Sequence, residues 1–133
     1  MKTDQEIKEE IYMFIKKSEL ASAVSGVVTN RKRPLNSDKE DILISVLAGN
    51  NEQRQQVFVN VNIYVQDQYV KKNKQYEENG ERLAELERLA ADILDVFWIG
   101  TARVHLEAQH TISAGNEKEQ VINNRLLYEI VNE

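Results

Sequence analysis

Few residues of this sequence have the types and spacing that chemistry requires. Asp38, Glu40 and Asp41 place three carboxylates in one short polar segment, where they could hold a hard divalent cation. Their spacing differs from that of a calcium-binding loop, and a metal-dependent hydrolase built on them would also have to use His105. His105 and His110 are five residues apart in a predicted strand, so we expect them on opposite faces. The sequence therefore predicts no metal site.

Motifs for nucleophilic, zinc or nucleotide chemistry are also absent from the sequence. It contains no GxSxG, HExxH, GxGxxG or phosphate-loop pattern, and it has no cysteine to form a thiolate site or a disulfide. We therefore expect a protein without catalytic residues or a cofactor.

Arg31, Lys32 and Arg33 form the one dense basic cluster, in a polar segment over residues 31–41 that also carries Asp38, Glu40 and Asp41. Such a loop could contact phosphate or an acidic protein surface. It could equally be a solvated turn. We predict a partner-contacting loop here and leave the second interpretation open.

The elements that would position these residues start with an amphipathic helix. Thr3 and Glu6 have the spacing of a capping box, and an apolar stripe follows over residues 4–17, with a possible short helix around Leu20 to Val24. Gly26 then precedes a short strand at residues 27–29, and a second strand is predicted at residues 42–48. A turn at Gly49-Asn50-Asn51 leads into the next strand.

The clearest pattern is an eleven-residue alternation at residues 56–66. Its odd positions are aliphatic, which predicts a strand with one face in the core, paired with the preceding strand as an antiparallel hairpin. The other face carries uncharged polar groups interleaved with aromatic rings, including Phe58, Asn60, Asn62 and Tyr64. We predict that these four residues form an assembly interface, although loops of the same chain could cover them instead.

The second half of the chain contains another helix and two extended segments. After a solvated segment at residues 68–79, an apolar stripe that includes Phe97 predicts a helix from Gly80 that Gly100 ends. Extended runs follow at residues 102–113 and 121–131, separated by a turn at Gly115-Asn116. The predicted order is α-β-β-β-α-β-β, an α+β fold whose mainly antiparallel sheet packs two helices on one face.

Length and composition fit one domain over residues 1–133. The sequence has 41% hydrophobic and 29% charged residues, and a net charge of −5 that disfavours a dedicated duplex-DNA binder. The charged N-terminus predicts no secretory signal, and the apolar runs are too short for a membrane span.

Several segments carry a resemblance to a known family. The N-terminal helix leads through Ser25-Gly26-Val27-Val28 into a strand, and the next strand follows Arg33-Pro34-Leu35-Asn36-Ser37 and Glu40-Asp41-Ile42. The long strand reads Val59-Asn60-Val61-Asn62-Ile63-Tyr64-Val65, and a late helix precedes a terminal hairpin. This succession, over most of the chain, resembles the tail terminator or tail completion proteins of long-tailed bacteriophages and related prophages.

The resemblance implies a virion structural protein that forms a ring, commonly a hexamer, which caps the tail tube and joins it to the head. Its partners would be copies of itself, the tail tube and head-completion proteins, and its location the bacterial host cytoplasm and then the virion. The alternative is a small non-catalytic module that binds protein or nucleic acid through its open sheet face and the basic residues 31–33. We expect nucleic acid to be the weaker of these partners, and no membrane partner.

Overall fold

The computed structural model of the chain describes residues 2–47, 56–116 and 118–130. The predicted turn at Gly49-Asn50-Asn51 and the predicted strand ends at Ala48 and Val131 lie outside these residues. The helices are α1 (Asp4–Lys16), α2 (Glu19–Ala23) and α3 (Gly80–Leu94). The strands are β1 (Val28–Thr29), β2 (Ile42–Val46), β3 (Gln56–Gln66), β4 (Gln68–Val70), β5 (Gln75–Glu77), β6 (Val96–Ile99), β7 (Ala102–Ser113) and β8 (Glu119–Ile130).

The main sheet has the strand order β1-β2-β3-β8-β7-β6 within the described residues. The short β1 runs parallel to β2, and every other neighbouring pair is antiparallel. β2 and β3 pair from Ile42 opposite Ile63 to Val46 opposite Val59, which confirms the predicted antiparallel pairing. The fold is α+β with a mainly antiparallel sheet.

A capping box begins α1, as the sequence predicts. The N–H of Glu6 donates to Thr3 Oγ1 at 3.2 Å, and the N–H of Thr3 donates to Glu6 Oε1 at 3.0 Å, so the capping box is complete. Ile7, Ile11 and Ile15 recur along one side of the helix and are fully buried. This side is the face by which α1 joins the core.

The alternation of β3 produces one buried face, which we call the inner face of the sheet. Every aliphatic residue at its odd positions is buried, and the neighbouring β8 adds Ile122, Leu126 and Tyr128 to the same face. The helices cover this face: the ring of Phe14 on α1 stacks on Phe97 of β6 with 3.8 Å between centroids, and the Tyr128 hydroxyl donates to Glu10 Oε1 at 2.6 Å.

The opposite side of the sheet is its outer face. Among the described residues no helix packs on it. Directly opposed residues on neighbouring strands share a face, so the pairings assign its members. They are Thr29 on β1, Leu43 and Ser45 on β2, Gln56, Phe58, Asn60, Asn62, Tyr64 and Gln66 on β3, Glu119, Val121, Asn123, Arg125, Leu127 and Glu129 on β8, Arg103, His105, Ala108, His110 and Ile112 on β7, and Val96 and Trp98 on β6.

The order of elements differs from the prediction in three places. The observed order over the described residues is α-α-β-β-β-β-β-α-β-β-β. The helical turn at residues 19–23 is a separate helix, because α1 ends with Lys17 as its C-cap and Ser18 then caps α2 through its hydroxyl, which accepts from the Leu20 N–H at 3.2 Å. The segment at residues 68–79, predicted to be solvated, contains the β4–β5 hairpin, in which Tyr69 and Tyr76 contact edge to face.

The third difference is the end of α3. The helix ends at Leu94, and Phe97 belongs to β6 rather than to the helical stripe. Val96, Phe97, Trp98 and Ile99 are β-branched or aromatic, and they pair with residues 102–105 of β7. Gly100 has a φ of 59° and turns the chain between these strands, so its left-handed conformation ends a strand instead of a helix.

A β-bulge overturns the predicted placement of the two histidines. The register of β7 against β8 shifts between Leu106 and Ala108, so Glu107 is an extra residue. His105 therefore lies opposite Leu127 and His110 opposite Asn123, which puts both imidazoles on the outer face. They are still separated by four positions of β8, or about 13 Å at 3.3 Å per residue, too far to share a metal ion.

Candidate functional site

The structure brings together the four residues predicted as an assembly interface. Phe58, Asn60, Asn62 and Tyr64 follow one another along the outer face of β3, and each is half-buried by its neighbours on that face. Their side chains form a strip near the middle of the sheet. The candidate site is this outer face.

The centre of the strip is a cluster of asparagines. The Asn123 Nδ2 donates to Asn62 Oδ1 at 2.6 Å and to Asn60 Oδ1 at 3.2 Å. These bonds join β3 to β8 and use only the side-chain oxygens of Asn60 and Asn62, so the amide N–H donors of these two residues take no part in them. An uncharged hydrogen-bonding centre of this kind suits a polar contact with another protein surface, because it costs less to desolvate than charged groups do.

An arginine covers the aromatic ring at each end of the strip. The Arg125 guanidinium lies 4.0 Å from the centroid of Phe58, and that of Arg33 lies 3.9 Å from the centroid of Tyr64. Guanidinium planes stack favourably on aromatic faces. Because an arginine occupies one face of each ring, that face is not an open platform on which a nucleic-acid base could stack.

Arg33 also belongs to a buried ion-pair network, which we call the Arg33 network, with Asp41 and Glu119. Its Nε donates to Asp41 Oδ2 at 3.0 Å, and its two terminal nitrogens donate to both Glu119 oxygens at 3.0 and 2.8 Å. Asp41 and Glu119 are only 1% and 4% exposed. The network joins the loop at residues 30–41 to the first residue of β8.

Hydrogen bonding decides the charge state of this network. Burial by itself raises the pKa of Asp41, but hydrogen bonds from the Ser37 hydroxyl, the Val27 N–H and the Arg33 guanidinium outweigh it and lower that pKa below its ordinary value. Burial likewise raises the pKa of Glu119, and Arg33 reverses the effect, so its pKa is also lowered. Both carboxylates are therefore ionised at neutral pH.

The second half of the loop is held by another ion pair. The Nε and one terminal nitrogen of Arg82 on α3 each donate to Glu40 at 2.7 Å, and these hydrogen bonds lower the pKa of Glu40. The Glu40 carboxylate also accepts from the Ser25 N–H at 3.1 Å. This pair attaches the loop at residues 30–41 to α3, in addition to its attachment to β8 through the Arg33 network.

The residues of the predicted partner-contacting loop therefore divide into two groups. Arg33, Glu40 and Asp41 hold the loop to the body of the protein, whereas Arg31, Lys32 and Asp38 are exposed. The loop also presents Leu35, which is 91% exposed and precedes Asn36, a residue with a φ of 55°. A left-handed conformation is one that asparagine adopts more readily than most residues.

The sequence pattern did not indicate two exposed apolar residues of β6 that lie on the outer face. Val96 and Trp98 on β6 are 49% and 56% exposed. Residues 96–99 continue the apolar spacing of α3, so this spacing predicted the end of a helix there. The run of β-branched and aromatic residues directly before Gly100 is the signal that could have identified a strand.

The carboxylates considered for a metal site do not converge. Glu40 and Asp41 are paired with different arginines, and His105 lies on the outer face of β7. In the part of the chain that the structure describes, no group of three or more His, Asp or Glu residues is placed to hold a metal ion. Across those same residues, no helix has the length and apolar character that a membrane span needs.

Comparison with known proteins adds no relative. The chain matches no protein-family model and no curated protein sequence.

Proposed function

We propose that this protein is a structural subunit that assembles into a ring, of the type that caps a phage tail tube and joins it to the head. One observation carries the proposal: no helix of the described residues packs on the outer face of the sheet, which displays an asparagine centre with apolar residues around it. Its partners would be further copies, the tail tube and head-completion proteins. It would act in the bacterial cytoplasm and then in the virion.

The chemistry of the face suits assembly better than catalysis. The asparagines are uncharged, and the Arg125 guanidinium above Phe58 adds a planar cation of the kind that protein interfaces favour. Exposed Val96, Trp98 and Ile112 add apolar area that another subunit would remove from water. Such a surface needs a partner of matching shape, and the proposal requires no cofactor.

A ring also constrains how the subunits meet. Each copy must present one patch to the preceding copy and a different patch to the next, and the rotation between copies must close. A sheet face on one side of the protein and helices on the other provide two distinct surfaces for such heterologous contacts.

Light scattering coupled to size-exclusion chromatography tests the proposal directly. We expect the wild-type chain, of 15.4 kDa, to give a discrete mass of several chains. Asn62→Arg places a bulky charge at the centre of the outer face and should lower that mass. Met13→Arg is the matched control, because Met13 is 40% exposed on α1 in the helical layer. A chain that stays monomeric up to millimolar concentration, or an Asn62→Arg variant that assembles unchanged, contradicts the proposal.

A further inference from the structure

Arg125 on β8 is a half-buried cation without a counter-charge in its own chain. Its guanidinium lies over the Phe58 ring, and its buried Nε has no hydrogen-bond partner within residues 2–47, 56–116 and 118–130. No carboxylate of those residues forms an ion pair with it. Burial of an unpaired donor costs free energy, which a ligand with a suitable acceptor would recover.

Arg33, at the other end of the strip, shows how the same arrangement is completed within one chain. It also covers a ring, that of Tyr64, but it donates to Asp41 and to both oxygens of Glu119. Arg125 has the stacked guanidinium and lacks the carboxylates. The missing group is therefore a carboxylate, which the planar fork of an arginine can bind through two N–H donors.

The residues around Arg125 on the outer face add hydrogen-bond donors and no negative charge. Asn60 lies directly opposite it on β3, and the amide N–H donors of Asn60 take no part in the bond to Asn123. Its other neighbours within two positions along the strands are Phe58, Asn62, Leu127, His105, Ala108 and His110. One permanent positive charge balances one carboxylate, whereas the second charge of a phosphate dianion would stay uncompensated.

The exposed side of α3 carries carboxylates that complement this site. Glu81 and Glu85 are exposed one turn apart. Glu81 forms no hydrogen bond or ion pair with any described residue, and Glu85 forms one ion pair, at 3.5 Å. On α1, by contrast, Glu6 is bonded in the capping box and Glu9 accepts from Asn30 at 2.9 Å. The carboxylates of α3 are thus the ones available to an outside cation.

These carboxylates cannot reach Arg125 of the same chain. The carbonyl of Glu87 on α3 accepts from the Gln109 side chain at 2.9 Å, and its carboxylate accepts from the Thr111 hydroxyl at 2.6 Å. Both residues point to the inner face, because side chains alternate along a strand and Ala108, opposite Arg125, lies on the outer face. The sheet therefore separates α3 from Arg125. A contact between them joins different patches of two copies, as a head-to-tail ring requires.

We propose that Arg125 of one copy binds the carboxylate of Glu81 or Glu85 on α3 of the next copy. This inference rests on the proposed function, and it names an ion pair at the interface between subunits. Two N–H groups of the guanidinium bond the carboxylate while Phe58 covers one guanidinium face. The amide of Asn60 supplies a further donor beside it.

Zero-length cross-linking tests this pairing. Arg125→Lys keeps the charge and places a primary amine at the site. A water-soluble carbodiimide condenses that amine with an adjacent carboxylate to an amide, and takes up the lost water as it becomes a urea. When isotope-labelled and unlabelled chains are mixed and then concentrated, mass spectrometry should find the peptide of position 125 joined to the peptide of residues 81–85 of the other isotope. Arg31→Lys is the matched control, because Arg31 is exposed on the loop at residues 30–41 and should give no such link.

Charge exchange supplies an independent measurement. Arg125→Glu should raise the dissociation constant of assembly at least about tenfold in light scattering, and Glu81→Lys with Glu85→Lys should do the same. All three changes in one chain should restore assembly. Asp4→Lys with Asp38→Lys is the matched control, since both carboxylates are exposed and lie outside α3. It should neither weaken assembly nor rescue Arg125→Glu, and circular dichroism establishes that each variant is folded.

The outcomes separate this pairing from the proposed function. A wild-type ring in which the amine at position 125 joins no other copy, or joins an element other than α3, overturns the pairing and leaves the proposed function standing. A wild-type monomer without the interchain link overturns both. A chain that is monomeric in chromatography but gives the specific link when concentrated supports the pairing and contradicts ring formation by the isolated chain.

A free anion from solution is the other source of negative charge that Arg125 could bind. In that case sodium phosphate should raise the thermal midpoint of the wild type and leave that of Arg125→Leu unchanged, and no interchain link should form. That combination overturns the pairing. We expect instead that phosphate shifts both midpoints equally.

Discussion

The Arg33 guanidinium illustrates how a residue that looks available for a partner is used inside the fold. It bonds Asp41 and Glu119, whose carboxylates are almost fully buried, and stacks on Tyr64. A lysine has one compact charge and cannot reproduce two bonds to one carboxylate while it stacks on a ring. Arg33 therefore stabilises the loop that displays Leu35.

Removing this guanidinium should destabilise the folded monomer. In Arg33→Met, Asp41 and Glu119 lose their shared cation, and uncompensated buried charge of this kind costs about 3 kcal/mol of unfolding free energy. Urea unfolding at pH 7 measures the loss. Arg31→Met is the control, since Arg31 is exposed, and should change stability by less than about 0.5 kcal/mol.

The same comparison has a predicted dependence on pH. Asp41 and Glu119 have lowered pKa values in the folded state, so the folded protein binds fewer protons than the unfolded chain in acid. Their stabilisation is present above about pH 4.5 and is lost as the pH falls through the lowered pKa values. The stability difference between wild type and Arg33→Met should therefore shrink below about pH 4. A difference that stays constant down to pH 2 would contradict the role of these carboxylates.

Gly26 is a second residue whose role depends on the Asp41 carboxylate. Its N–H donates to the Glu40 carbonyl at 2.9 Å, and a Cβ at this position would clash with that carbonyl and with the Asp41 side chain. We expect Gly26→Ala to lower the unfolding free energy by about 1–3 kcal/mol, as overpacking does. Gly80→Ala is the matched control, because a Cβ there meets nothing within 4 Å and the residue begins α3. Equal thermal midpoints for the two variants would refute this role.

At the scale of elements, the sequence pattern correctly predicted the helices and strands that contacts between sequence neighbours determine. The capping box of α1 and the alternation of β3 involve residues close in sequence, and the structure has both as predicted. The start of β6 was missed because the spacing of Phe97 continues the stripe of α3, and pairing with β7 overrides that pattern. The bulge at Glu107 was missed because it exists only in the register of β7 against β8, which no local spacing encodes.

The two aromatic residues at the middle of β6 give a sharp test of this strand. Phe97 stacks on Phe14 in the helical layer, while Trp98 faces outwards. Phe97→Ala should lower the unfolding free energy of the monomer by about 2–3 kcal/mol, because it removes a large, partly buried ring that packs against the core. Trp98→Ser should leave the monomer within about 0.5 kcal/mol of wild type and reduce assembly. If residues 96–99 ended a helix instead, both variants should lose similar amounts of stability. That result would contradict the assignment of β6 as a strand.

At the scale of the whole molecule, the sequence predicts some parts of the candidate site and not others. The strip from Phe58 to Tyr64 was predictable, since one alternating strand defines it. The arginine that covers each ring and the partners of the loop were not, because Arg33 and Glu119 are 86 positions apart in the sequence. The same long-range contacts decide which basic residues face outwards. They reduce the cluster at residues 31–33 to two exposed cations, Arg31 and Lys32, on a chain of net charge −5.

Nucleic-acid binding is the alternative function on which the distribution of exposed charges bears most directly. The loop has three exposed cations, Arg31, Lys32 and Lys39, which neutralise about three phosphates and predict a salt slope near −3 and weak affinity. An arginine covers one face of each of the rings of Phe58 and Tyr64, which removes that face from base stacking. We therefore expect duplex DNA and single-stranded RNA to migrate unshifted in gels at low salt with micromolar protein. Arg31→Glu with Lys32→Glu should behave as wild type does in this assay. Retention that falls steeply with salt, and that this double variant abolishes, would instead establish the loop as a phosphate-binding surface.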